Sequence, residues 1–356
     1  MCSRSGPAIG KVLPVKRLIW EGGTRFQYGQ CGELERLRDG EVLIHPTAVG
    51  ICGTDIHIIE GHFPAARPPL VLGHEIAGVV TAVGPGVERV KTGERVTVDQ
   101  VIGCGHCFFC RRGSRQFCRS GIELGITADG GCQSYVIVPQ ENVYVIPPSI
   151  PDDTAAILDM EVWAALSKCS VSRGETVLIF GPGPAGLVAC QIARILGAER
   201  VLLAGPSGHR MSRAQELSLA DVYIFTDREN VVARVMDETD GAGVNVAVDC
   251  AGASEVLDNA LAAVTPGGRI LLYGVHTKEL TSFDVNAFVL RDLVVFGALS
   301  DRRGWEEVIR LVADGKLLLT PLITHRFSFD DAPAAYDFVR QRPEGLIKAT
   351  ILMNSS

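Results

Sequence analysis

Aromatic residues are scarce, 6% of 356, and no apolar run approaches the roughly 18 to 20 residues a bilayer-spanning helix needs. A positive balance is also missing. The formal net charge is −7, and the only local basic cluster is Arg111, Arg112 and Arg115. A nucleic-acid binder is expected to carry a basic face, so neither nucleic acid nor membrane is expected as a partner. The opening residues MCSRSGPAIGKVLPVKRLIW hold basic side chains but no apolar core of export-signal length. The expectation is a cytoplasmic chain whose eleven cysteines stay reduced, where clustered cysteines more often bind metal than pair.

What is present is a globular composition, 47% hydrophobic and 21% charged, with 39 glycines and length enough for two domains. From about residue 177 short apolar runs recur: VLIF (177–180), VLLA (201–204), VYIF (222–225), VAVD (246–249), ILLY (270–273) and LVVF (293–296). Their starts lie 21 to 24 residues apart, and the gaps have helical periodicity, as in PAGLVACQIARILG. That alternation predicts parallel strands with crossover helices in one doubly wound sheet. The first 150 residues differ. GEVLIHPTAVG, EIAGVVTAVG, GERVTVD and CQSYVIVP are short, valine-rich and punctuated by glycine, as in an antiparallel lobe. Prolines 147, 148 and 151 mark the seam.

FGPGPAG (180–186) follows a predicted strand and opens a predicted helix. Gly181, Gly183 and Gly186 fit the dinucleotide turn, in which glycines allow close backbone approach and a helix N-terminus faces a pyrophosphate. At the end of the next strand NAD sites usually carry an acid for the ribose 2′-hydroxyl. Here the chain reads Gly205-Pro206-Ser207-Gly208-His209-Arg210 instead. With no carboxylate to repel a 2′-phosphate, and Ser207, His209 and Arg210 able to contact one, the expectation leans to NADP over NAD. The alternative is that Arg210 only starts a helix and stacks on adenine.

Cys104, Cys107, Cys110 and Cys118 are spaced C-x2-C-x2-C-x7-C within residues 103–118. Four thiolates make a closed tetrahedral zinc site, which folds a loop and binds no substrate. An iron–sulfur site, disulfides or chance are the other readings. A looser set has Cys52, Thr54 and His57 in ICGTDIH and His74 and Glu75 in LGHEIAG. A thiolate, an imidazole and a carboxylate are catalytic-zinc ligands when they leave a position open. Taken singly, each has a bland reading as a buried cysteine, a capped turn or a hydrogen-bonded histidine.

In order, CGTDIH, GHE, CGHCFFCRRGSRQFC, GPGPAG and PGGRI resemble the zinc-dependent medium-chain dehydrogenases, in the branch of polyol (sorbitol-like), threonine and butanediol dehydrogenases. The resemblance spans about residues 40 to 350. It implies an α/β protein: a GroES-like β-rich catalytic domain (1–155), a Rossmann domain with a doubly wound parallel sheet (156–297), and a C-terminal segment (298–356) returning to the catalytic domain. It implies Cys52 and His74 as catalytic zinc ligands and Glu75 as the adjacent acid, ligating directly or through water. Thr54 becomes the hydroxyl that passes the substrate proton, and His57 the base at the end of that relay. A further ligand falls in ILDMEVWAAL, with Asp159 the first choice and Glu161 the second. The implied enzyme holds one catalytic and one structural zinc per chain and uses NADP or NAD. It interconverts a secondary alcohol (a polyol, cyclitol or similar small molecule) and its ketone, as a homodimer or homotetramer. Two rivals stand beside it. The zinc-free enone reductases of the superfamily lack the four-cysteine lobe and GHE. A non-catalytic relic serving as a binding or scaffold protein would not need a complete set of ligands and relay groups.

Overall fold

A computed structural model describes residues 15–31, 36–158, 161–276, 285–299 and 303–353. The chain forms two compact units: Met1–Asp159 with Trp305–Ala313 and Leu319–Ser356, and Met160–Gly304 with Asp314–Leu318.

The first unit is built on a seven-stranded sheet. Its order is Val143–Val145, Arg95–Val98, Glu75–Val83, Glu41–Ile51, Lys348–Leu352 and Ile323–Ser328, and Val136–Pro139 also pairs with Glu41–Ile51. Neighbours run antiparallel except the last two, which are parallel. The long strand EVLIHPTAVGI carries a proline in its interior. Pro46 has no N–H to give the ladder, and the register with Glu75–Val83 shifts between Pro46 and Ala48, where a bulge absorbs the missing donor. The apolar end of this strand, Val49 and Ile51, packs with Ile56, Ile58, Leu72, Tyr336 and Ile351. That core fixes where the strand stops and therefore where Cys52 stands.

The second unit is a six-stranded parallel sheet in the order Val222–Phe225, Arg200–Gly205, Thr176–Phe180, Val244–Asp249, Val264–Leu272, Val294–Gly297. Numbered from Thr176 this is 3-2-1-4-5-6, the dinucleotide-binding order, whose crevice opens where the winding reverses. Five strands begin within two residues of their sequence-based positions. The fifth begins six residues early, at Val264 rather than residue 270. Val264 pairs with Val244, the register then jumps to Arg269 opposite Val246, and Pro266-Gly267-Gly268 bulges out between them. A proline and two glycines gave no apolar signal. Among the described residues no helix is long and apolar enough to cross a membrane.

Candidate active site and metal centres

Cys52 follows the strand Glu41–Ile51 directly and caps the helix Gly53–Ile59. Asp55, three residues on and fully buried, accepts a hydrogen bond from the Cys52 backbone N–H through Oδ2 at 2.8 Å. Its other oxygen lies 3.5 Å from His74 Nδ1. One carboxylate thus anchors the backbone of the first proposed ligand and faces the ring of the second. A carboxylate behind a ligating histidine orients the ring and raises its basicity. Burial opposes charge on the His74 ring, yet the Asp55 carboxylate and the Cys52 sulfur outweigh it and hold the pKa well above its ordinary value. The surroundings of this ring favour a cation.

Glu75 opens the next strand, Glu75–Val83. Its Oε1 accepts a 2.6 Å hydrogen bond from the Lys348 ammonium, and both side chains are buried. Its Oε2 is buried with no hydrogen-bond partner, as are Asp55 Oδ1 and His74 Nδ1. The carboxylate has room because residue 50 is glycine: a Cβ there would collide with Oε2. One ligand atom from each of Cys52, His74 and Glu75 lies within 4.8 Å of the other two. Sulfur, nitrogen and carboxylate oxygen converging in a pocket with orphaned polar atoms is the donor chemistry of a zinc site with a position open for substrate.

Thr54 and His57 project from the helix after Cys52, one turn apart and therefore on one face. The Thr54 hydroxyl lies 3.9 Å from Cys52 Sγ. His57 is half-buried, and its Nδ1 makes no hydrogen bond. Burial lowers its pKa, Glu60 pulls the other way, and His62 and Arg342 add smaller downward effects, with the net shift downward. Of the two residues expected to complete the metal site, Asp159 lies outside the described residues, and Glu161 opens the helix Glu161–Lys168 in the second unit.

The four-cysteine run folds as two short 3₁₀ turns, Cys110–Arg112 and Arg115–Phe117. The Cys104 and Cys110 sulfurs are 4.0 Å apart, and those of Cys107 and Cys118 are 3.8 Å apart. A zinc with Zn–S bonds of about 2.3 Å sets tetrahedral sulfurs about 3.8 Å apart, whereas a disulfide requires about 2.05 Å. All four are free thiols. The N–H groups of Cys104 and Cys110 point at Cys118 Sγ and Cys107 Sγ, both at 3.4 Å. Such donors favour thiolate: the hydrogen bond from Cys104, then that from Ser120, brings the Cys118 thiol down to about 6. Arg115, buried between Asp99 and Asn142, ties the lobe to the sheet.

In the second unit, Gly181 has φ of 97° and Gly186 lies so close to the Gly181 carbonyl that any side chain would collide with it. Gly183 is open, and the nearest group to a Cβ built there is an Arg210 guanidinium nitrogen at 4.0 Å. The loop therefore offers bare backbone with a cation over it, before the helix Pro184–Leu196. Ser207 differs from expectation in one respect. Its N–H and hydroxyl both donate to Asp227 Oδ1, at 2.8 and 2.9 Å, so an acid absent after the second strand arrives from the end of the third.

Known proteins resemble the chain over most of its length. Residues 38–148 match the alcohol dehydrogenase GroES-like domain, and residues 184–314 match the zinc-binding dehydrogenase domain. An L-threonine 3-dehydrogenase from Pyrococcus horikoshii is 38% identical over 318 residues, 86% of this chain and 90% of that protein. A zinc-binding dehydrogenase from Sinorhizobium meliloti, solved with NADP, superposes with a TM-score of 0.88 at 28% identity, covering 96% of this chain and 100% of the other. An Escherichia coli CFT073 alcohol dehydrogenase complexed with NADH gives 0.87 at 29% identity, covering 96% and 99%. The non-catalytic alternative finds no support in these matches. The chain belongs to the zinc-dependent alcohol dehydrogenase family and is an NAD(P)-dependent oxidoreductase acting on an alcohol CH–OH group.

Proposed function

We propose that this enzyme interconverts a secondary alcohol flanked by further polar groups (a polyol, cyclitol or similar small molecule) and its ketone. Two zinc ions per chain serve it, one at Cys52, His74 and Glu75 and one at Cys104, Cys107, Cys110 and Cys118. The observation that carries the reading is the convergence of sulfur, imidazole and carboxylate beside a helix that presents Thr54 and His57 one turn apart. Asp159, which lies outside the described residues, is the proposed further ligand, with Glu161 second.

When bound, the zinc supplies Lewis acidity toward the alcohol oxygen and the nicotinamide accepts the hydride. The chain's own part is to fix those groups and move one proton. Thr54 takes the hydroxyl proton while giving up its own, and His57, neutral because burial lowers its pKa, is able to receive it. Asp55 is a positioning residue: it holds the Cys52 backbone and faces His74 without touching substrate. The substrate reading is tested by offering polyols, amino alcohols, cyclitols and their ketones and following NAD(P)H absorbance. Turnover of a member with a secondary alcohol supports it. Turnover confined to simple primary alcohols would refute it.

NADP is the proposed preferred cofactor, with Arg210 as its main determinant: Ser207 spends its hydroxyl proton on Asp227, whose carboxylate counts against a 2′-phosphate, so the Arg210 guanidinium beside Gly183 carries the preference. A hydrogen bond to a charged group is worth about 1.5–3 kcal/mol. Arg210→Ala should therefore lower kcat/KM for NADP by about 10- to 100-fold while NAD changes far less; equal losses would show that Arg210 serves only the shared part of the two cofactors. A homodimer or homotetramer is the proposed assembly, supported by the edge strand Val294–Gly297, where Val294 and Val295 are exposed beside exposed Val289 and Leu290. The unpaired thiols suit the proposed cytoplasmic location.

A further inference from the structure

The helix Gly53–Ile59 ends in a turn whose side chains the alcohol chemistry leaves unused. Glu60 caps its C-terminal end, Gly61 takes φ of 80°, and the chain doubles back. The N–H of Gly61 donates to the Ile58 carbonyl at 3.0 Å, and that of His62 to the His57 carbonyl at 2.8 Å. This paired closure brings the side chain after the glycine against the one five residues earlier, a contact that is usually apolar. Here both partners are histidine. The His57 and His62 rings have centroids 6.0 Å apart, and Glu60 Oε2 lies 3.6 Å from His62 Nδ1. One ligand atom from each of His57, Glu60 and His62 lies within 4.8 Å of the other two. A metal with bonds of about 2.1 Å holds neighbouring tetrahedral ligand atoms about 3.4 Å apart, so small side-chain rotations close the set. Independently, His57 Nδ1 is buried with no hydrogen-bond partner.

We propose that His57, Glu60 and His62 form a further metal site, for a divalent transition ion, whose occupancy switches the enzyme off by removing His57 from the proton relay. The inhibitory half rests on the reading of His57 given under Proposed function; the site itself does not. Two imidazoles and a carboxylate suit Zn²⁺, Ni²⁺ or Cu²⁺ and not Mg²⁺ or Ca²⁺, which take oxygen ligands. The turn fixes both backbones before an ion arrives, which reduces the ordering cost. Burial lowers the pKa of the His57 ring despite the opposing Glu60 carboxylate, so less proton competition stands between its lone pair and a metal. Coordination at either ring nitrogen leaves the other protonated, and such a ring has no lone pair with which to accept a proton. Glu60 and His62 are exposed. The ion therefore exchanges with solvent, in contrast to one enclosed by the four-cysteine lobe.

The test titrates the metal-loaded enzyme, as isolated, with Ni²⁺ and separately with Zn²⁺, measuring bound metal and turnover together. One equivalent beyond the resident metal should bind, turnover should fall in step, and a weak chelator should restore it. His62→Ala and Glu60→Gln should turn over like the unaltered enzyme and need at least about 10-fold more metal for the same effect. Absence of the extra equivalent, or its persistence at equal affinity in His62→Ala, would overturn the site. An extra equivalent that is lost in His62→Ala but leaves turnover of the unaltered enzyme unchanged would uphold the site and overturn the relay role of His57.

Discussion

Replacing Cys52 by alanine should empty the catalytic metal site and lower turnover by more than about 10³-fold, while the nicotinamide cofactor still binds. The magnitude follows from scale: a single hydrogen-bond donor to a developing oxyanion is worth about 10²–10³ in kcat, and here a Lewis acid would go. Cys52 is also tied to the rest of the site through its backbone, which donates to Asp55. That bond does not need the side chain, so the helix start and His74 should stay in place. Metal content should fall by one equivalent per chain, with the equivalent assigned to Cys104, Cys107, Cys110 and Cys118 retained. Full metal content with lost activity would show that Cys52 acts in some other way, and retained activity would refute its assignment as a ligand.

The second large effect concerns stability. With the metal removed, Lys348→Met should destabilise the protein by about 3–5 kcal/mol, because it strands the buried Glu75 carboxylate with neither its ammonium nor the proposed zinc. In thermal denaturation that is a fall in Tm on the order of 10 °C. Pairing it with Glu75→Gln removes the stranded charge, so the double variant should recover most of the loss. A buried pair can be neutral as a whole and still be costly to break on one side. A single variant as stable as the unaltered enzyme would show that Glu75 does not depend on Lys348.

What could be read from the sequence follows from how local each signal is. The six strands of the second unit repeat every two dozen residues and carry their own periodicity, so their positions and the glycine loop stood out. The four-cysteine lobe is legible because all its ligands fall within fifteen residues, and the sulfur spacing fits the metal they imply. Asp55 was overlooked because an acid in the third position of a helix has a sufficient explanation as a cap. Its contact with His74 depends on a strand that returns nineteen residues later. Lys348 had no signal at all: 273 residues separate it from Glu75, and only the sheet brings them together. Asp227 was missed for a related reason. The search for an acid near Ser207 ended at the second strand, and this one comes from just after the third.

The strand Lys348–Leu352 lies between Glu41–Ile51 and Ile323–Ser328, so the ladder that carries Cys52 is completed by residues translated long after it. About 300 residues separate Gly50 from its partner Thr350, and the whole dinucleotide-binding unit is made in between. At about 5–20 residues per second on the ribosome, Gly50 waits roughly 15 to 60 s for that neighbour. Until then Glu75 has no ammonium beside it and the sheet has an open flank. Maturation of the catalytic centre thereby waits until the dinucleotide-binding unit has been made, and a chain cut off before Lys348 would leave the ribosome with its reactive pocket still unfinished.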